Sequence, residues 1–66
     1  MSDYTKEELA AAHNAISSSI RKIEKVRETL LNKQPPPKSQ LTLAMRNLQA
    51  LKIAEALITR ELEGLE

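Results

Sequence analysis

Hydrophobic positions recur every three or four residues over two stretches of this chain, the repeat that puts apolar side chains on one side of an α-helix. In the first stretch Leu9, Ala12, Ile16, Ser19, Ile20, Ile23, Val26 and Leu30 form a single seam, with Leu31 beside its end. In the second stretch two seams run together. One reads Leu41, Ala44, Leu48, Leu51, Ile58, Leu62 and Leu65, the other Leu43, Ala50, Ala54 and Leu57. The combined apolar arc covers about half the helix circumference, wider than the ~100° stripe that one packing partner hides. Two seams need two neighbours, and the chain offers this helix only one.

Between the stretches stands Lys33-Gln34-Pro35-Pro36-Pro37-Lys38. Three consecutive prolines lack amide donors and clash with a preceding turn, so the helical pattern must stop there. The reading is a helix over about 5–33, a Pro-rich loop over about 34–38 and a helix over about 39–64. A loop this short leaves the helices side by side and antiparallel. A Pro-rich run can also serve as a ligand for an aromatic groove, but the connector reading is the stronger, because such ligands need PxxP spacing in a longer exposed segment.

Local signals agree with these boundaries. Thr5 is an N-cap candidate, Glu8 three residues later completes a capping box, and Tyr4 with Leu9 occupies the positions of a hydrophobic staple. Ser39 is the candidate N-cap of the second helix, and Gly64 marks its fraying end. Ser17-Ser18-Ser19 weakens helix propensity. Ser19 is read as a small residue that allows close helix approach, and Ser17 and Ser18 as facing solvent.

Composition narrows the class. With 66 residues the chain is at most one small domain, a size at which a core alone rarely supplies more than about 3–5 kcal/mol. There is no Cys, and the single His has no second His beside it, so disulfide and zinc staples are excluded and association is the remaining source of burial. The chain is 41% hydrophobic and 29% charged, with the apolar residues in periodic seams, which excludes a disordered tail. No apolar run approaches the 18 or so residues that span a membrane, and no basic-then-apolar start marks a secretion signal. The expected location is the cytoplasm.

Catalytic chemistry finds no foothold. The single glycine, Gly64, excludes both a nucleophile elbow and a phosphate-binding loop. No Glu lies three residues before His13, as di-metal bundles require. His13 is read as a packed boundary residue, and Arg27 as laying its aliphatic stem over the core edge with its head toward a carboxylate. No catalytic, cofactor-binding or metal-binding residue is assigned.

Charge is informative through its distribution. Between Arg21 and Arg46 seven basic residues accompany two acids, a local +5, and the rest of the chain carries −4, giving the net +1. A hairpin therefore has a basic loop end and an acidic terminal end. Arg21, Lys22, Lys25, Lys33, Lys38 and Arg46 form a candidate basic patch. Nucleic-acid binding through it is the weaker alternative, since Tyr4 is the only Phe, Tyr or Trp in the chain and no aromatic platform accompanies the patch. The gradient also suits two copies laid with loops at opposite ends, basic end beside acidic end, and solvated faces with no specific role account for it as well.

The opening Tyr4-Thr5-Lys6-Glu7-Glu8-Leu9, with Thr42-Leu43, Asn47, Ala50-Leu51-Lys52-Ile53, Leu57-Ile58 and Glu61-Leu62, resembles a group of small bacterial proteins of unknown function. In these, two helices are joined by a short polar or Pro-rich linker. The resemblance implies a helical hairpin and a bacterial origin, and it carries over no active-site or ligand residue. The triple proline departs from the pattern by lengthening and stiffening the connection.

The expectation is an all-α, antiparallel two-helix hairpin that pairs into a homodimeric four-helix bundle and works as a small interaction module. Leu9, Ile16, Ile20, Ile23 and Leu30 should meet Leu48, Leu51, Ile58 and Leu62 within the chain. Leu43, Ala50, Ala54 and Leu57 should face a second copy or another protein. An obligate subunit of a hetero-complex, antitoxin-like or chaperone-like, fits the same pattern. Met45 and Ile53 fall toward the polar side.

Overall fold

Capping fixes where the first helix begins. In the computed structural model, which describes residues 3–65, α1 runs Lys6–Leu31 and α2 runs Lys38–Gly64. Thr5 holds an extended backbone at the N-cap of α1. Its Oγ1 accepts from the Glu8 amide at 3.1 Å, while Glu8 Oε1 accepts from the Thr5 amide at 3.0 Å. This reciprocal pair satisfies two amides that a helix start otherwise leaves open. Glu7 and Glu8 in the same turn place negative charge at the positive end of the helix dipole. Leu9, one residue on, is buried, while Tyr4 is 62% exposed.

α1 gives way at Asn32, and residues 32–37 carry the chain around to α2; the Gln34-Pro35 bond is cis. The N-cap of α2 is Pro37 and not Ser39, which lies inside the helix. Pro37 holds φ near −77° with an extended ψ, the backbone an N-cap requires, so the ring sets the start without a side-chain cap. No side-chain hydrogen bond closes this end, in contrast with α1.

The two helices pack against each other along their length as a hairpin. Among the described residues the buried ones are Leu9, Ile20 and Leu30 from α1 with Ala44 and Leu48 from α2. Ile16, Ile23, Leu51, Ile58 and Leu62 are half-buried around them. Two seam assignments shift. Val26 is 51% exposed and Leu65 is 44% exposed, so neither belongs to the contact between the helices. At 100° per residue Val26 lies on the flank of the α1 seam, about 90° from its centre, and Leu65 sits beyond the last helical turn.

The resulting body is a rod of 49 × 15 × 14 Å. Its radius of gyration is 14.9 Å, whereas a compact chain of this length has about 11 Å. The exposed area is 5348 Å², against about 4,200 Å² for a compact monomer of this mass. Two helices have only one another to hide against, and a single shared seam leaves most of each cylinder wet.

Candidate functional site

The exposed large apolar side chains show where this surface is out of balance. Leu43 is 57% exposed and Leu57 54% exposed, with Ala50 exposed and Ala54 half-buried between them on α2. On the helical wheel these four lie roughly 100° before the centre of the α2 core seam. On α1 the residues at about the same offset are Ala12, Ala15, Ser19, Lys22 and Val26, spaced at three and four residues.

Geometry decides whether these stripes meet. Antiparallel helices are related by a two-fold axis normal to the plane that contains both. A rotation preserves hand, so stripes displaced in the same sense from each core seam emerge on the same side of that plane. The stripes of α1 and α2 thus form one continuous face, mostly apolar or small-residue, with the exposed Lys22 and Asn47 as its polar interruptions. It is flanked at the loop end by Val26 and Leu43 and at the other end by Leu57.

The opposite side of the hairpin carries the polar contacts between the helices, with the exposed Met45 beside them. Ser17 Oγ donates to Glu55 Oε2 across the helix pair, and Lys52 Nζ lies 3.8 Å from Glu24 Oε2. Ser17 is therefore half-buried and paired with α2 rather than facing solvent, and Ser18 is half-buried too. Ser18 Oγ accepts from Arg21 at 3.3 Å on the same helix. These contacts tie the hairpin together on one side and leave the apolar face clear on the other. The Glu24–Lys52 pair is largely exposed and contributes at most a fraction of a kcal/mol.

Thr59 and Thr29 turn their hydroxyls back to carbonyls four residues earlier, Glu55 and Lys25, so neither hydroxyl is presented outward. His13 and Arg27 are both half-buried. Arg27 lines a shallow depression with Leu48, Met45 and Lys52. Among the described residues no carboxylate comes within ion-pair distance of it. Met45 and Ile53 are 59% and 54% exposed and stand apart from the apolar face.

The basic residues do not converge on one point. Arg21, Lys22 and Lys25 lie along the outer surface of α1, Lys33 and Lys38 flank the loop, and Arg46 stands on α2, all exposed. Arg21, Lys22 and Lys25 share their depression with Glu24 and Glu28, which dilutes the positive potential a phosphate would meet. Among the described residues no group of three His, Cys, Asp or Glu side chains is placed to hold a metal ion. Among them also, no helix is long and apolar enough to cross a membrane.

The seam pattern does not separate the α1 half of the face, because Ser19 and Val26 fall three or four residues from core positions such as Ile16, Ile23 and Leu30. The signal was present as a heptad, Glu8, Ala12, Ala15, Ser19, Lys22 and Val26, displaced to one side of the core residues. Small and charged residues hide such a repeat when only large apolar positions are tracked. Scanned against family models, curated proteins and solved structures, the chain finds no match.

Proposed function

We propose that this chain is a non-catalytic protein-interaction module that self-associates into a homodimeric four-helix bundle. The observation that carries the reading is the continuous face running across both helices, with Leu43, Val26 and Leu57 each more than half exposed. Scattered apolar residues are normal on any surface, but alignment of several with alanines on one side of a rod is the pattern of a helix-packing surface. Alanines there let backbones approach closely, and the leucines supply area.

The areas are of the right size. The hairpin exposes roughly 1,100 Å² more than a compact monomer of its mass. A standard interface takes about 800 Å² from each partner. Two copies merged into a fully compact body would remove as much as about 3,700 Å² in total, within the range of obligate homodimers. With only five buried residues among the described ones in each hairpin, and each of them still in partial contact with water, much of the folding free energy then comes from the second copy.

Coupling between folding and association supplies the test. If the copies stabilise one another, the thermal midpoint rises with protein concentration, by several degrees over a hundredfold range. A midpoint independent of concentration, in a chain that is helical and monomeric throughout, would overturn the proposal. A chain that stays poorly helical at every concentration would instead give the face to a different protein.

A further inference from the structure

The apolar face is self-complementary in one orientation, and from this we infer that two copies dock with their loops at opposite ends, α1 against α1 and α2 against α2. The inference rests on the self-association reading and adds the orientation to it.

The register of the hairpin comes from its cross-helix contacts. Ser17 meets Glu55, and Glu24 lies beside Lys52. These pairs put the middle of the rod near Ile20 and Arg21 on α1 and near Ile53 and Ala54 on α2. A two-fold axis through that middle, lying in the apolar face and perpendicular to the rod, reverses each helix onto its own copy. To within about a turn it sets Leu57 over Ala50 of the second copy, and Val26 over Ala15. Each large side chain meets a small one, which is how facing helices interdigitate without gaps.

Charge selects the same orientation. Glu8 and Glu61 continue the two stripes toward the terminal end, Glu8 one turn before Ala12 and Glu61 one turn after Leu57. At the loop end Lys33 lines a shallow concavity with Val26 and Leu30, and Arg46 lies one turn from both Leu43 and Ala50. All four charged residues are exposed. With loops at opposite ends, Glu8 falls near Lys33 of the second copy and Glu61 near Arg46. With loops at the same end, the axis runs along the rod. That gathers the four carboxylates at one end and the four cations at the other, so both ends repel.

A distance between loops tests the orientation directly. The chain has no cysteine, so Gln34→Cys gives one exposed labelling point per copy. Spin labels there should report a separation approaching the 49 Å length of the rod. A separation below about 25 Å, two helix spacings plus label arms, would overturn the inference while leaving self-association intact. A labelled chain that light scattering shows to be monomeric would overturn the underlying reading as well.

The charge pairs give a second readout of opposite sign for the two orientations. Glu61→Lys should raise the dimer Kd by about tenfold, two exposed pairs being lost per dimer, and adding Arg46→Glu should bring it back to within about threefold of the parent. With loops at the same end, Glu61→Lys would relieve repulsion and tighten the dimer, which would overturn the inference.

Discussion

Leu57→Glu separates a surface residue from an interface residue. In the isolated hairpin Leu57 is 54% exposed and Glu is as good a helix former as Leu, so the folded monomer should lose no more than about 0.5 kcal/mol. In the proposed dimer the remaining half of each side chain would be hidden. Full burial of a leucine is worth about 1.5–3 kcal/mol, so covering the exposed half contributes about 1 kcal/mol per copy and about 2 kcal/mol across the two-fold. The substitution also sets two carboxylates against alanines, beside Glu61, which already faces the nearest cation, Arg46 of the second copy, a further cost of about 1 kcal/mol. A total near 3 kcal/mol raises the dimer Kd by about a hundredfold. Sedimentation equilibrium at several loading concentrations measures this. A dimer whose Kd moves less than about threefold would show that Leu57 lies outside the interface and would refute the argument from the apolar face.

Other substitutions probe the hairpin itself. Leu48→Ala removes the most buried side chain, 4% exposed, and should cost about 2–5 kcal/mol, enough to abolish cooperative thermal unfolding followed by circular dichroism. Thr5→Ala deletes one half of the capping box and should cost about 1 kcal/mol in chemical denaturation, with amide exchange rising first in the opening turn of α1. Ser17→Ala strips the donor that meets Glu55 on the side away from the apolar face. It should lower stability by about 1 kcal/mol while leaving the dimer mass unchanged at concentrations where the parent is dimeric.

The hairpin was legible because each of its determinants is local. Thr5 and Glu8 are three residues apart and act on one another's amides, and three prolines stop a helix whatever surrounds them. The spacing of Leu9, Ile20, Leu30 and Leu48 states which side of each helix is buried. What lay beyond the sequence depended on the register between the helices. Ser17 reads as solvent-facing until α2 is placed beside it, and only then does Glu55 arrive within reach. Val26 fits the α1 seam by spacing but sits on its flank, and a displacement of that size is decided by the width of a neighbour that has yet to be positioned. Ser39 looked the better cap by residue type. Pro37 starts the helix two residues earlier because its own ring already holds the required φ. The α2 half of the apolar face was visible as an unmatched seam, whereas its α1 half, built of alanine, serine and lysine, became visible only when the antiparallel pairing placed both stripes on one side.

If this rod is one half of a bundle, its mass in solution must be twice that of the chain. Multi-angle light scattering over a hundredfold range of concentration, with far-ultraviolet circular dichroism on the same samples, should show a strongly helical species at twice the 7.4 kDa chain mass. A strongly helical species that stays at 7.4 kDa up to the highest concentration would contradict the account, because the face would then be stable in water without a second copy.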